Sequence, residues 1–555
     1  MLASVGIAVL PLAWRGTSCG HDFDFHLESW MEVVRQWHQG VLYPHWAASA
    51  NYGAGEPRFV FYPPLSWVLG ALLGLVLPWT WTPLVFTLLV MLAMAASFFR
   101  LASEWLSKDN AALAACLYVL NPYMLFVAYE RTAYGELMAA VWLPLLVLYA
   151  LRRTPAVPQL ALMIALLWLS NAPAAVMGCY ALALMILWAA IAERSWRLIG
   201  RATSATALGL GLAAFYLIPA TYEQRWVEIT RAIESGISVE DSFLFKHTGQ
   251  AFHDQVLHTA SWIAVVLLAA TFIAAVLAYR GGQRFVPRGP MMFLAAVILG
   301  LLLPFSDVVW RHAPELRFLQ FPWRWLLVMG LAYALLAGMS LRGEAGTRRV
   351  ISLRAGAILL LACVMAGLSA VYFWTSCDDE DNVRAQVTTF GDGGFAGTDE
   401  YTAKPAENDE IQQNLPPIRV LSEPLGDEGD ASVTENPEWH AKSSDLQPSQ
   451  VHIEEWSVER IRAQVDTATP GFAVLRLMDY PAWHVRVNGR RVDKGPRRED
   501  GLMVIPLSAG NSQMTLSYKA TADVWLGRLI SAVASIFLLC LRAGQLGLRP
   551  KQQVS

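Results

Sequence analysis

Four titratable side chains, His21, Asp22, Asp24 and His26, fall close together in the segment GHDFDFHLESWMEVVRQWHQGVLYPHW. On a helix Asp22 and His26 share a face, as do Asp24 and Glu28, because residues four apart lie one turn above another. Acids flanked by histidines can supply a general base for a substrate hydroxyl. They can equally offer ligands to a divalent cation such as Mg²⁺ or Mn²⁺, with Asp22, Asp24 and His26 as the set. The plainer reading is a solvated helix start, with Asp22 as the N-cap of a helix beginning near Phe23. Downstream, Tyr43-Pro44-His45-Trp46, Asn51 to Pro57 and Phe61-Tyr62-Pro63-Pro64-Leu65 interleave aromatics with the glycines and prolines of turns. Aromatics in such a loop suit a membrane interface, and they can also stack on sugar rings.

These residues need a scaffold, and the composition points to one set in lipid. Of 555 residues, 55% are hydrophobic and 16% charged, where a soluble domain carries about a quarter charged. Apolar runs at 2–14, 82–100, 110–128, 133–151, 158–172, 174–192, 202–219, 258–279, 288–306, 321–341, 351–374 and 523–541 predict about twelve transmembrane helices. Residues 65–79 form a short Gly- and Pro-containing run that reads as a juxtamembrane or re-entrant helix. Met1 to Trp14 lacks the basic n-region of a signal peptide and is read as a first span. Basic connectors then fall on one side: Arg100 to Lys108, Arg152-Arg153, Arg194 to Arg201, Arg280 to Arg288, Arg342 to Arg354, and the tail with Arg542, Arg549 and Lys551. The positive-inside rule assigns that side to the cytoplasm. It leaves 15–81, 220–257, 307–320 and 375–522 outside.

The expected organisation is a transmembrane domain over 1–374, whose first outer loop is 15–81. An acidic, loop-rich segment covers 375–450, a small antiparallel β domain covers 451–522, and a last helix and cytoplasmic tail cover 523–555. Residues 375–450 hold 17 Asp or Glu against 4 Lys or Arg, a balance that buries little apolar area. Residues 451–520 alternate apolar and polar, and Asn488-Gly489 marks a tight hairpin. None of the six cysteines is spaced CxxC, so a structural zinc site is not expected. Cys116, Cys179, Cys363 and Cys540 read as packing residues. Cys19 and Cys377 lie outside the membrane, where they can pair or stay apart. No basic cluster suggests nucleic acid.

The motifs GHDFDFH, YPHW and YGAGEPRFVFYPPL together resemble bacterial membrane proteins named "6-pyruvoyl-tetrahydropterin synthase-related". The zinc-histidine arrangement of the soluble pterin enzyme has no trace here. Such membrane proteins look like GT-C superfamily glycosyltransferases, and the segment DYPAWHVRVNGRRV resembles the outer β domain of related proteins. The resemblance implies a sugar donor carried on polyprenyl phosphate and transfer at the outer face of the cytoplasmic membrane. It also implies an essential acid shortly after the first span, matched by Asp22 or Asp24. Glu130-Arg131 and Glu136 would lie at the outer ends of adjacent spans, with Asn171-Ala172-Pro173 at a substrate-side turn.

The site implied by the resemblance has Asp22, Asp24 and His26 as catalytic residues. His21, Glu130, Arg131, Glu136, Tyr62, Arg317, Gln320 and Arg324 would contact substrate. Planar guanidinium groups suit a phosphate, and an acid within an apolar run, such as Glu136, is costly enough to imply use. The competing expectation is a lipid or polysaccharide transport or assembly protein without catalysis. Oligomeric state is not readable.

Overall fold

The computed structural model describes residues 1–152, 156–233, 236, 238–281, 285–341, 348–406, 411–425, 430–431, 439–440 and 446–547. Arg153, Arg284, Arg342, Arg549 and Lys551 of the basic connectors lie outside the described residues. The chain is mostly helical, with a small antiparallel β domain near its C-terminus. Among the described residues, seven helices are long and apolar enough to cross a membrane singly: Thr82–Ala102, Tyr134–Leu151, Ala172–Ala192, Ala251–Arg280, Pro322–Ser340, Leu353–Phe373 and Ala522–Ala543. Their outward faces carry Trp262, Phe272, Ile273, Leu360, Leu529 and Ile536, each more than half exposed. An apolar belt of this kind on long apolar helices suits a lipid surrounding.

The dozen apolar runs are all helical, but they do not all cross alike. Three are bent pairs: Lys108–Val119 with Pro122–Tyr129 at 42°, Arg197–Leu212 with Ala214–Trp226 at 75°, and Arg288–Leu301 with Pro304–His312 at 93°. The first bend has a local cause. Pro122 has no N–H to continue the helical ladder, and the Asn121 side chain caps the next segment by accepting from Met124 N. The expected spans at 2–14 and 158–172 are the helices Leu2–Arg15 and Val157–Ser170. At 14 residues each, they reach only about 21 Å, short of the roughly 30 Å hydrocarbon core. The run at 65–79 is the still shorter helix Pro64–Gly74.

In the β domain, strand Gly471–Met478 pairs antiparallel with both Ile418–Leu421 and Leu502–Leu507. A second sheet runs Ser449–Trp456, Arg460–Thr467, Gly510–Tyr518, Trp483–Val487, Arg490–Arg491. Asn488 and Gly489 both have positive φ, 51° and 77°, as a two-residue hairpin turn of matching twist requires. The two sheets share one apolar cluster that includes Val465, Val474, Val504, Met514 and Leu516. Trp46, Ala54, Val60 and Phe61 of the first outer loop join the same cluster. The β domain therefore packs on the loop that follows the candidate acids. Strand Ile418–Leu421 comes from the segment that composition marked as loop.

The first outer loop is held by ions as well as by packing. Arg58, 1% exposed, bonds Glu56 at 2.6 Å, reaches Glu28 at 3.5 Å and donates to the Thr398 hydroxyl at 3.1 Å. Its guanidinium lies 4.5 and 4.8 Å from the ring centres of Phe25 and Phe395. Cys19 and Cys377 form a disulfide across 358 residues, so the segments that follow helices Leu2–Arg15 and Arg348–Phe373 are joined.

Candidate functional site

The GHD segment is placed by its glycine. A Cβ at Gly20 would overlap the carbonyl oxygens of Tyr129 and Glu130. Without one, the backbone approaches closely enough for His21 N to donate to Glu130 O and Asp22 N to Arg131 O, each at 3.0 Å. Ser18 adds a hydroxyl bond to Tyr129 O at 2.8 Å. The start of helix Phe23–His38 is thus fastened to the turn between Pro122–Tyr129 and Tyr134–Leu151.

Asp22 occupies the N-cap position of that helix, yet its side chain makes no capping bond. The expected capping role is therefore not the one this carboxylate plays. It faces Arg131 instead, with Nη2 to Oδ2 at 4.0 Å. Arg131 in turn bonds Glu136 at 2.6 Å and lies 5.1 Å from the Trp323 ring centre. Glu136 also accepts from Tyr123 OH at 2.6 Å and sits 3.9 Å from Arg324 Nε. Among the described residues that Nε has no hydrogen-bond partner. Four charges from four separate elements therefore meet: Asp22, Arg131, Glu136 and Arg324.

They line one cavity of about 940 Å³ together with His21, Tyr62 and Gln320. The Asn171-Ala172-Pro173 turn lines it too, with Asn171 capping the following helix through Ala174 N at 2.9 Å. Asp22 keeps 45% of its side-chain exposure because it faces this hollow. The surrounding protein is deep enough that burial pushes its carboxyl above the ordinary carboxylate range, while Arg131 and Arg324 pull it down less. His21, lowered to about 4 by burial and then by Arg131, is neutral at pH 7.

Other sequence-derived candidates lie elsewhere. Asp24 and Glu130 line an adjoining cavity of about 500 Å³, which shares His21, Phe252 and Val256 with the larger one. His26 is 1% exposed and packs against the rings of Trp30, Tyr62 and Tyr134. Burial lowers it to about 3, and its Nε2 is 3.5 Å from Tyr62 OH. It is a packing residue beneath Tyr62. Arg317 is exposed, lies over Phe318 at 4.8 Å and lines neither of these cavities. Asp22, Asp24 and His26 do not converge as a metal-ligand group; among the described residues the one cluster of ligand type is Cys19, Cys377 and Asp381, whose cysteines are already joined to each other.

The cavity also has a wall that the sequence did not announce. Thr398, Glu400 and Tyr401, from the acidic segment, line it without belonging to any recognisable motif. Composition averaged over 375–450 conceals such a short ordered turn. Gln224, Gln250 and His253, from the outer segment 220–257, complete the polar side.

No family model and no curated protein matches the chain, so the resemblance to the pterin-synthase-related membrane proteins rests on motifs alone. Among solved structures, the chain is similar to the arabinofuranosyltransferase AftD from mycobacteria, at 13% identity and a TM-score of 0.42 over 94% of this chain and 57% of that one. A mutant of AftD gives 12% identity and a TM-score of 0.45. The chain thus spans less than two thirds of AftD. It is also similar to ArnT from Cupriavidus metallidurans bound to undecaprenyl phosphate, at 14% identity and a TM-score of 0.42, over 67% of this chain and 68% of that one.

Proposed function

We propose that this chain is a GT-C-type glycosyltransferase of the cytoplasmic membrane. It would take a sugar from a polyprenyl-phosphate donor and pass it to an acceptor on the outer face. The observation that carries this reading is the convergence of Asp22, Arg131, Glu136 and Arg324 on one cavity. Asp22 is the base: it removes the proton of the acceptor hydroxyl as that oxygen bonds the anomeric carbon. The bond from that carbon to the phosphate oxygen breaks, and its electrons leave with the lipid phosphate. Arg324, whose Nε makes no hydrogen bond among the described residues, and Arg131 stabilise that charge through donors in a planar fork. Glu136 keeps both guanidinium groups aimed without neutralising them fully, since it is a single carboxylate between two cations. Apolar wall residues such as Leu217, Val256, Leu257 and Phe321 suit the first isoprene units.

Transfer from labelled polyprenyl-phosphate sugars by the purified, membrane-reconstituted chain is the test. Wild-type protein should transfer sugar. Arg324→Gln should weaken binding of the lipid phosphate about 10- to 100-fold, the scale of losing one charged hydrogen bond. Unchanged binding in that variant removes the phosphate assignment, and binding without transfer by the wild type replaces the enzyme with a lipid carrier.

A further inference from the structure

Resting on the transferase reading, we propose that Glu400 is a specificity-determining residue whose carboxylate accepts hydrogen bonds from hydroxyls of the donor's sugar ring. That ring then lies along the aromatic wall of Phe25, Tyr62, Tyr216 and Tyr401, with its phosphate toward Arg131 and Arg324.

Glu400 is held rigidly. It lies in the short turn Asp399–Tyr401, whose preceding residue Thr398 donates its N–H to Glu56 at 2.8 Å and takes a bond from Arg58 at 3.1 Å. Its following residue, Tyr401, stacks on Phe61 with ring centres 5.5 Å apart and planes 16° apart. A carboxylate on such a support reaches the cavity at little entropic cost.

The carboxylate is also unspent. Among the described residues it makes no ion pair. Arg58, the cation nearest to it in effect, is already bonded to Glu56 and Glu28, while Glu56 and Asp399 add charge of its own sign. Burial raises its carboxyl to about 7, and a hydrogen bond from the backbone lowers it by less. Glu56, in the same cluster, shows what a structural acid looks like in this protein: it is fully buried and bonded by Arg58 and by Thr398.

The chemistry of the neighbours selects hydroxyls. Unlike Asp22 and Glu136, which lie against arginines, Glu400 has no ion-pair partner among the described residues, so it marks the part of the ligand that is not anionic. The side-chain amides of Gln224 and Gln250 line the same cavity. Amides both donate and accept, as hydroxyls do, whereas an ammonium group only donates.

The test uses the full chain and two probes, bare undecaprenyl phosphate and a panel of undecaprenyl-phosphoryl hexoses and pentoses. In wild type at least one phosphosugar should bind more tightly than the bare lipid. Glu400→Ala should erase that increment by about 10- to 100-fold and Glu400→Gln by about 3- to 10-fold, because the amide oxygen still accepts. Bare lipid phosphate should bind all three proteins equally. The inference is overturned if both variants keep the full increment, or if bare-lipid affinity falls in parallel, which marks a structural role. An equal loss in the Gln and Ala variants shows that an accepting oxygen at this position does not carry the increment and overturns the hydroxyl assignment. Failure of wild type to bind the bare lipid strikes instead at the transferase reading, so the two failures are distinguishable.

Discussion

Asp22→Asn should lower sugar transfer by about 10²- to 10⁴-fold, the usual contribution of a positioned general base, while binding of the donor stays near wild type. Asn keeps the volume and the hydrogen-bonding oxygen but cannot take a proton. Asp24→Asn is the matched control: that acid lines the smaller cavity, so its loss should leave transfer close to wild type. The same assignment fixes the sign of a pH effect. The base acts when ionised, and burial holds its carboxyl above the ordinary carboxylate range. Turnover should therefore fall as pH drops, beginning at a higher pH than an exposed aspartate would dictate, and the acid limb should vanish from the residual activity of the Asn variant. Full transfer by Asp22→Asn would leave the reaction without its base.

The second large effect concerns stability. Arg58→Met should cost about 3–5 kcal/mol, because removing one partner of a buried ion cluster leaves the other charges uncompensated. Glu56 has no exposure, and Thr398 loses the guanidinium bond that fixes the turn before Glu400. Thermal unfolding in detergent would read this as a lowered Tm. The double variant Arg58→Met with Glu56→Gln should recover part of the loss, since contacting residues in one network do not add. Additive losses would show that Arg58 contributes packing alone between the rings of Phe25 and Phe395.

Much of the molecule is legible in the order of its residues. The apolar runs mark the helices because lipid leaves the backbone no other way to satisfy itself. The hairpin at Asn488-Gly489 is readable because two successive residues of positive φ restrict the choice of side chain so strongly. The acids after the first apolar run stand out as a group. Less visible is how they divide. Periodicity sets Asp22 and His26 on one face, yet the face turns from a hollow at Asp22 to a packed core at His26 within a single turn.

Residue order is enough to mark the apolar helices, the alternating strands and the short list of acids and arginines from which a site could be built. That Asp22 and not Asp24 meets Arg131 and Arg324, that Arg317 stays outside, and that Glu400 lines the same cavity follow from the folded arrangement alone. Local pattern fixes which side of an element a residue occupies. What that side faces depends on contacts between segments hundreds of residues apart, such as Cys19 with Cys377 and Arg58 with Thr398, and a period of a few residues carries no record of them.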